Sequence, residues 1–272
     1  MTIPIILLGN KPLTYKVAQY ILDDSRFALN GLILGDENST DPSVEKLRSI
    51  AKSCDIPCYQ IDHFNQQSDN EALAVSIGYP CILTTQQIAL FKKVINLHFG
   101  ELPWYRGSAT VSHAILNGER SFGMTLHKID EGVDTGPVYK IECFQIGSDA
   151  IASEVMELGE RTGYRMIKNC LAAACLGTLP EVPQITLEKG SNRSATQYYR
   201  KSLEKLKVLD GSQKLEQLSR QYRAACLPRK PAPIVQFGAF RYSPRNLSEL
   251  RYLKAYVDIL GISESEKLKL VS

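Results

Sequence analysis

Ile3-Pro-Ile-Ile-Leu-Leu8 is an unbroken apolar run that stops at Gly9. A strand apolar on both faces belongs inside a parallel sheet covered by helices, because a sheet with one wet face would alternate. The run opens a series. Pro12 suits a first helical turn, and Val17, Ile21 and Leu22 follow at helical spacing. Gly31–Gly35 reads as a second strand, and Asp41-Pro42-Ser43 opens a helix through Val44, Leu47, Ile50 and Ala51. Ile56–Ile61 predicts a short third strand, Leu73–Tyr79 a fourth, Ile88–Lys92 a short helix and Val94–His98 a fifth strand. Strand and helix in this alternation predict an α/β fold, a Rossmann-like, doubly wound, mostly parallel sheet.

After Gly118 the pattern changes. Phe122–Lys128 and Val138–Ile146 read as strands around a loop at Asp130–Pro137. A long helix follows, with Ser148 and Asp149 as capping candidates. Ile151, Val155, Leu158, Thr162 and Met166 carry its apolar stripe, and Gly177 stops it. Further on, Val235–Tyr242 reads as one strand, Leu247–Leu260 as an amphipathic helix, and the tail after Gly261 as loose. The division expected is a catalytic domain over 1–205 and a small mixed C-terminal subdomain over 206–272.

A composition of 44% hydrophobic and 22% charged residues excludes wholesale disorder, and no apolar run is long enough for a membrane helix. The first apolar run is short and lacks a basic lead-in, so it reads as a strand rather than a signal peptide. Seven cysteines, an odd number, argue for reduced thiols and a cytoplasmic protein rather than a disulfide framework. Neither Cys54/Cys58 nor Cys170/Cys175 has the spacing of a zinc knuckle, so buried thiols and no metal are expected. Net charge is uneven. Residues 1–192 hold 16 Lys+Arg against 22 Asp+Glu, and residues 193–272 hold 16 against 7. A basic region of +9 on an acidic body suits a phosphate-bearing partner, a nucleotide or a nucleic acid.

The turn after the first strand, Gly9-Asn-Lys-Pro-Leu-Thr-Tyr15, has neither Gly-x-Gly-x-x-Gly nor a P-loop, which demotes NAD and ATP as cofactors. Of four histidines, His63, His113 and His127 read as structural. His98 differs. It ends the fifth strand, two residues after Asn96, so both side chains share one face at the carboxyl end, where open α/β sheets place their ligand crevice. Asn96 can donate to a developing oxyanion, and His98 can move a proton near neutral pH. Asp130-Glu-Gly-Val-Asp-Thr-Gly136 then packs three carboxylates and two glycines into seven residues. One of these carboxylates beside His98 would raise its basicity.

Residues 95–138 read INLHFGELPWYRGSATVSHAILNGERSFGMTLHKIDEGVDTGPV. This segment resembles the core of the folate-dependent formyltransferases, with their Asn-x-His, Leu-Pro-x-Tyr-Arg-Gly and Asp-Glu-Gly-x-Asp-Thr-Gly motifs. Among them it is most like the nucleotide-sugar N-formyltransferases. One departure is Phe99-Gly100, where many relatives have Pro-Ser. The resemblance implies a catalytic triad at Asn96, His98 and Asp134, and 10-formyltetrahydrofolate as formyl donor with no metal. It also implies a pterin pocket between Tyr79, Pro80, Cys81, Ile82 and Leu83 on one side and Asp130 and Val133 on the other. Tyr105, Arg106 and Gly107 would lie on the acceptor side.

The acceptor expected is the amine of a nucleotide-linked amino sugar, a surface polysaccharide (O-antigen) precursor. Methionyl-tRNA formylation and formyltetrahydrofolate hydrolysis are the alternatives. Sixty-seven residues from 206 onward, with thin strand signals, are short for the β-barrel that tRNA-formylating relatives append, so nucleic acid is not expected as a partner. Cations at Arg200, Lys201, Arg223 and Lys230, and rings at Tyr198, Tyr199, Tyr222 and Phe237, are candidates for nucleotide contact. A C-terminal region poor in apolar residues would pack against the body or a second copy, most simply as a homodimer.

Overall fold

The computed structural model describes residues 2–35, 39–64, 72–189 and 191–260. The expected loose tail after Gly261 lies outside the described residues. In chain order the elements begin with β1 (Ile3–Leu8), α1 (Pro12–Asp23), β2 (Phe27–Ile33), α2 (Pro42–Ser53) and β3 (Cys58–Tyr59). Then come β4 (Leu73–Ile77), α3 (Thr85–Ile88), β5 (Lys93–His98), β6 (Arg106–Gly107), α4 (Thr110–Leu116), β7 (Ser121–Lys128) and β8 (Val138–Gln145). The long α5 (Ala152–Cys175) and short α6 (Gln184–Glu188) follow, then β9 (Gln197–Tyr198), β10 (Val208–Asp210), α7 (Leu215–Ala225), β11 (Ile234–Phe237), β12 (Phe240–Tyr242) and α8 (Leu247–Leu260).

The fold is the α/β, Rossmann-like one expected. Seven strands run in the order β3-β2-β1-β4-β5-β7-β8, with β1 to β5 parallel and β7 antiparallel to β5. Strand order reverses between β1 and β4, and open α/β sheets place their ligand crevice beyond the carboxyl ends of the strands at such a point. Ile5 to Leu8 are fully buried, as a central parallel strand requires. Asp41 caps α2 by accepting from the Ser43 amide at 2.8 Å, and Pro42 supplies its first helical residue.

Several boundaries differ from the sequence expectations. β2 begins at Phe27 rather than Gly31, because Phe27 and Leu29 point inward while Asn30 is exposed. β3 shrinks to two residues that pair only with Leu32 and Ile33 at the sheet edge. The short helix forms at Thr85–Ile88, ahead of Ile88–Lys92, because Thr84 and Gln87 make a reciprocal capping box there. Val235–Tyr242 is a hairpin, broken at Gly238, whose φ is +60°. Asp149 pairs with Arg251, and the Ile151 amide is instead capped by the Glu154 carboxylate. Only Cys175 is buried; Cys54, Cys58, Cys81 and Cys143 are exposed, against the expectation of buried thiols.

The chain divides into two compact units. The first comprises Met1–Arg106, Gly123–Cys143 and Gly159–Thr196; the second comprises Gly107–Phe122, Phe144–Leu158 and Gln197–Ser272. In the first, α5 packs closely on β5 and β7. A Cβ at Gly159 would press on Phe99 and Met124, and one at Gly163 on Leu97, Met124 and Leu13. Glycine inside a helix costs about 1 kcal/mol relative to alanine, and here it allows the close approach. Leu97 thus faces the helix while Asn96 and His98 face away from it. In the second unit, β10, β11 and β12 form a small mixed sheet around Val235 and Phe237, with Leu218 and Tyr222 of α7 and Leu250 of α8 buried. Ser112 of α4 donates to the Ala224 carbonyl at 2.8 Å. No helix among the described residues is long and apolar enough to cross a membrane.

Leu97 is almost fully buried. Leu97→Ala is expected to cost about 2–5 kcal/mol of stability, read as a lowered midpoint with unchanged slope in urea unfolding.

Candidate functional site

The antiparallel register of β5 and β7 sets Asn96 opposite His127 and His98 opposite Thr125. Asn96 Nδ2 lies 3.0 Å from His127 Nε2, and His127 Nδ1 lies 2.8 Å from the Lys128 carbonyl oxygen. A carbonyl only accepts, so His127 carries its proton on Nδ1, and Nε2 accepts from the Asn96 amide. Thr125 donates to the Gly100 carbonyl at 2.6 Å and accepts from the Leu102 amide at 3.2 Å, which ties down the chain just after His98.

His98 is 7% exposed and His127 1%. His98 Nε2 lies 2.6 Å from the Tyr105 carbonyl oxygen, so that nitrogen is the protonated one, and Nδ1 is left facing Asp134. Asp134 stands between the two rings, with Oδ2 at 3.5 Å from His98 Nδ1 and Oδ1 at 3.5 Å from His127 Nε2. The His98 pKa is lowered. Burial is the main cause, the charge of Asp134 raises it, and His127 lowers it. The upward pull expected from a neighbouring carboxylate is therefore present but outweighed by desolvation. Gly100 permits this packing, since a Cβ there would run into His98 Nε2 and the Tyr105 carbonyl.

Asp134 has a φ of +54°, in the left-handed region that costs a non-glycine residue about 1–2 kcal/mol. Its turn is held from within by Asp130, whose Oδ1 accepts from the Gly132 amide at 3.2 Å and from Thr135 Oγ1 at 2.6 Å. From α6, Gln184 Nε2 donates to the carbonyls of Asp134 and Gly136, both at 2.8 Å. The same amide's Oε1 accepts from Arg106 Nε at 3.0 Å and Nη2 at 2.7 Å. Arg193 donates to Glu101 at 3.0 Å and covers the Trp104 ring at 4.7 Å.

The fold thus gathers Asn96, His98 and Asp134 in one place. The Tyr105 ring is buried, and the residue reaches the site through its carbonyl. Arg106 lies near Gln184 and Glu188, and Gly107 belongs to the second unit, where it packs on the Tyr198 carbonyl. In the loop beyond β4, Pro80, Cys81 and Ile82 are exposed, Ile82 at 74%, and Tyr79 is half-buried. Leu83 is buried in a core cluster with Leu8, Ile33 and Phe91. In the Asp130–Gly136 loop, Val133 is half-buried. Tyr222 and Phe237 are buried, leaving Tyr199 as an exposed ring of the proposed nucleotide set.

His127 and Gln184 are the residues that sequence reasoning missed. Pairing β5 to β7 through the antiparallel register would have brought His127 to Asn96. Nothing in the spacing of Gln184 marks it.

Residues 61–169 match the formyl transferase family. The methionyl-tRNA formyltransferase of Acidothermus cellulolyticus is 34% identical over 121 residues, which are 44% of this chain and 37% of that protein. That of Coxiella burnetii (strain RSA 331 / Henzerling II) is 26% identical over 258 residues, covering 91% of this chain and 78% of that one. The first of these matches spans little over a third of its relative's length. Among solved structures, an N-formyltransferase from Helicobacter canadensis, in complex with folinic acid and dTDP-3-aminofucose, superposes with a TM-score of 0.69 at 22% identity over 86% of this chain and 84% of that one. This likeness concerns the fold. The segment that matches the family contains Asn96, His98 and Asp134.

Because His98 has a lowered pKa, the unfolded chain binds its proton more readily than the folded protein. The contribution of His98 to stability is intact above its ordinary value of 6.5 and is lost as pH falls from there through the lowered folded value. The stability difference between wild type and His98→Asn, from urea unfolding at a series of pH values, should therefore shift against the wild type below pH 6.5.

Proposed function

We propose that this protein transfers a formyl group from 10-formyltetrahydrofolate to an amine, with Asn96, His98 and Asp134 as catalytic residues. The observation that carries the reading is the Asp134 carboxylate between two buried histidines, one bonded to Asn96 and the other turning Nδ1 toward that carboxylate. The exposed Pro80-Cys81-Ile82 stretch lies beyond the carboxyl end of β4, beside the strand-order reversal, and suits a flat heteroaromatic ring with an apolar face. Tyr79, Asp130 and Val133 complete the residues that would hold the folate. When bound, the folate supplies a formyl carbon already activated for attack.

The chain's own groups do the rest. Asn96 has one amide hydrogen on His127 and a second to donate to the carbonyl oxygen under attack. Burial keeps His98 neutral, so Nδ1 can take the proton that the attacking amine sheds. The imidazolium then formed faces Asp134 at a distance where opposite charges attract. The same nitrogen returns the proton to the departing nitrogen. Tyr105 holds Nε2 throughout, so one tautomer serves both steps.

For the acceptor we favour the amine of a nucleotide-linked amino sugar. The Helicobacter canadensis structure is a complex with such a compound. The described residues after 206 form a three-stranded mixed sheet with two helices. The sequence relatives named as methionyl-tRNA formyltransferases supply the rival reading. A panel of amino-sugar nucleotides and methionyl-tRNA, each incubated with formylfolate, decides between them by mass. Gain of one formyl group by a sugar nucleotide supports the reading; formylation of the tRNA alone overturns it.

Asn96→Ala, His98→Ala and Asp134→Ala are each expected to lower turnover about 10²-fold or more. All three should unfold as cooperatively as the wild type. The acid limb of kcat/KM should have its midpoint below pH 6.5, because His98 must be neutral to act and its pKa is lowered. A midpoint above 6.5 would contradict the assignment of His98 as base.

A further inference from the structure

We infer that Gln184 is a positioning residue for this reaction, holding the Asp134 turn and the Arg106 guanidinium in one hydrogen-bonded unit. The inference rests on the proposed role of Asp134. Gln184 begins α6 directly after Pro183 and is 4% exposed. Its carboxamide is fully used. The two Nε2 hydrogens go to the carbonyls of Asp134 and Gly136, and Oε1 receives two N–H groups of Arg106. Carbonyls only accept and a guanidinium only donates, so these partners fix which end of the amide is which.

The two bonds fall where the turn most needs them. Asp134 is held in the left-handed region, and its own carbonyl is one of the two that Gln184 binds. Holding the Asp134–Thr135 and Gly136–Pro137 peptides fixes the direction in which the Asp134 side chain leaves the backbone. Asp130 secures the same turn through Gly132 and Thr135. Arg106 adds a second connection. It directly follows Tyr105, whose carbonyl holds His98 Nε2. The segment that sets the His98 tautomer and the turn that carries Asp134 are therefore joined through one buried amide. Loss of its donors would let Asp134 swing away from His98 Nδ1 without removing any group that touches substrate.

Gln184→Glu separates the two halves of this unit. It keeps the acceptor for Arg106 and replaces the donor nitrogen with an oxygen that faces the Asp134 and Gly136 carbonyls. We expect kcat to fall about 10- to 100-fold, as a small misplacement of a catalytic group does, with acceptor KM changed less than about threefold. The acid limb of the rate profile should move to lower pH, because the charge of Asp134 raises the His98 pKa and would now stand further off. In the Asp134→Asn background the same substitution should cost little more, since the group it positions is gone. If Asp134→Asn alone leaves kcat unchanged, the reading of the site fails. If Asp134→Asn is damaging but Gln184→Glu leaves kcat and the acid limb where they were, this inference alone fails. Full additivity of the two substitutions overturns it as well, by making Gln184 merely structural. Should the glutamate variant not fold, Gln184→Met, which removes both halves at similar volume, is read in the same cycle, with a raised acceptor KM expected in addition.

Discussion

The pairing of β5 with β7 is the constraint on which the site depends. Five parallel strands alone would leave Asn96 and His98 at a sheet edge, with nothing opposite them. An antiparallel neighbour in this register brings His127 across from Asn96 and Thr125 across from His98. Antiparallel partners face each other directly, so their side chains meet within hydrogen-bond reach. A slip of one residue would turn His127 to the far side of the sheet and put Leu126 in its place. That slip is resisted by the opposite face, where Leu97 and Met124 pack against Gly163 of α5. Apolar packing on one side of the sheet thereby fixes polar geometry on the other.

The second requirement is a carboxylate delivered from outside the sheet. Asp134 comes from the turn between β7 and β8, and its backbone is in an unfavourable conformation. Such a conformation persists only where neighbouring groups over-determine it. Here Asp130 and Gln184 do so from two directions. The result is a negative charge in a half-buried place next to two imidazoles. Desolvation of His98 outweighs the attraction of that charge, so the ring rests neutral and is poised to take a proton rather than to give one.

Much of this was legible in the sequence. The apolar run at Ile3–Leu8 and the alternation after it carry the parallel sheet, because buried parallel strands leave a pattern that local reading can find. Asn96 and His98 were placed correctly on one face by the two-residue period of a strand. Failures came where a distant partner decides the matter. β3 shortened to the two residues that pair with Leu32 and Ile33 of β2, and the Val235–Tyr242 strand folded back at Gly238. His127 looked like an ordinary strand histidine, since its partner Asn96 is 31 residues away. Gln184 gave no signal, as a single amide after a proline carries none. Leu83, expected beside the pterin, is buried in one core cluster with Phe91 and Leu8.

The bond from His98 Nε2 to the Tyr105 carbonyl has a wider consequence. The orienting group is main chain, whereas in many enzymes a side chain does this work. No point substitution can delete a carbonyl. Position 105 can exchange its ring for another without releasing the imidazole, provided the turn keeps its course. The tautomer is thus shielded from mutational drift at the contacting residue and exposed to it at Gly100, where the gain of a single methyl group would displace the ring. Sequence variation around this histidine should accordingly be tolerated by size rather than by chemistry.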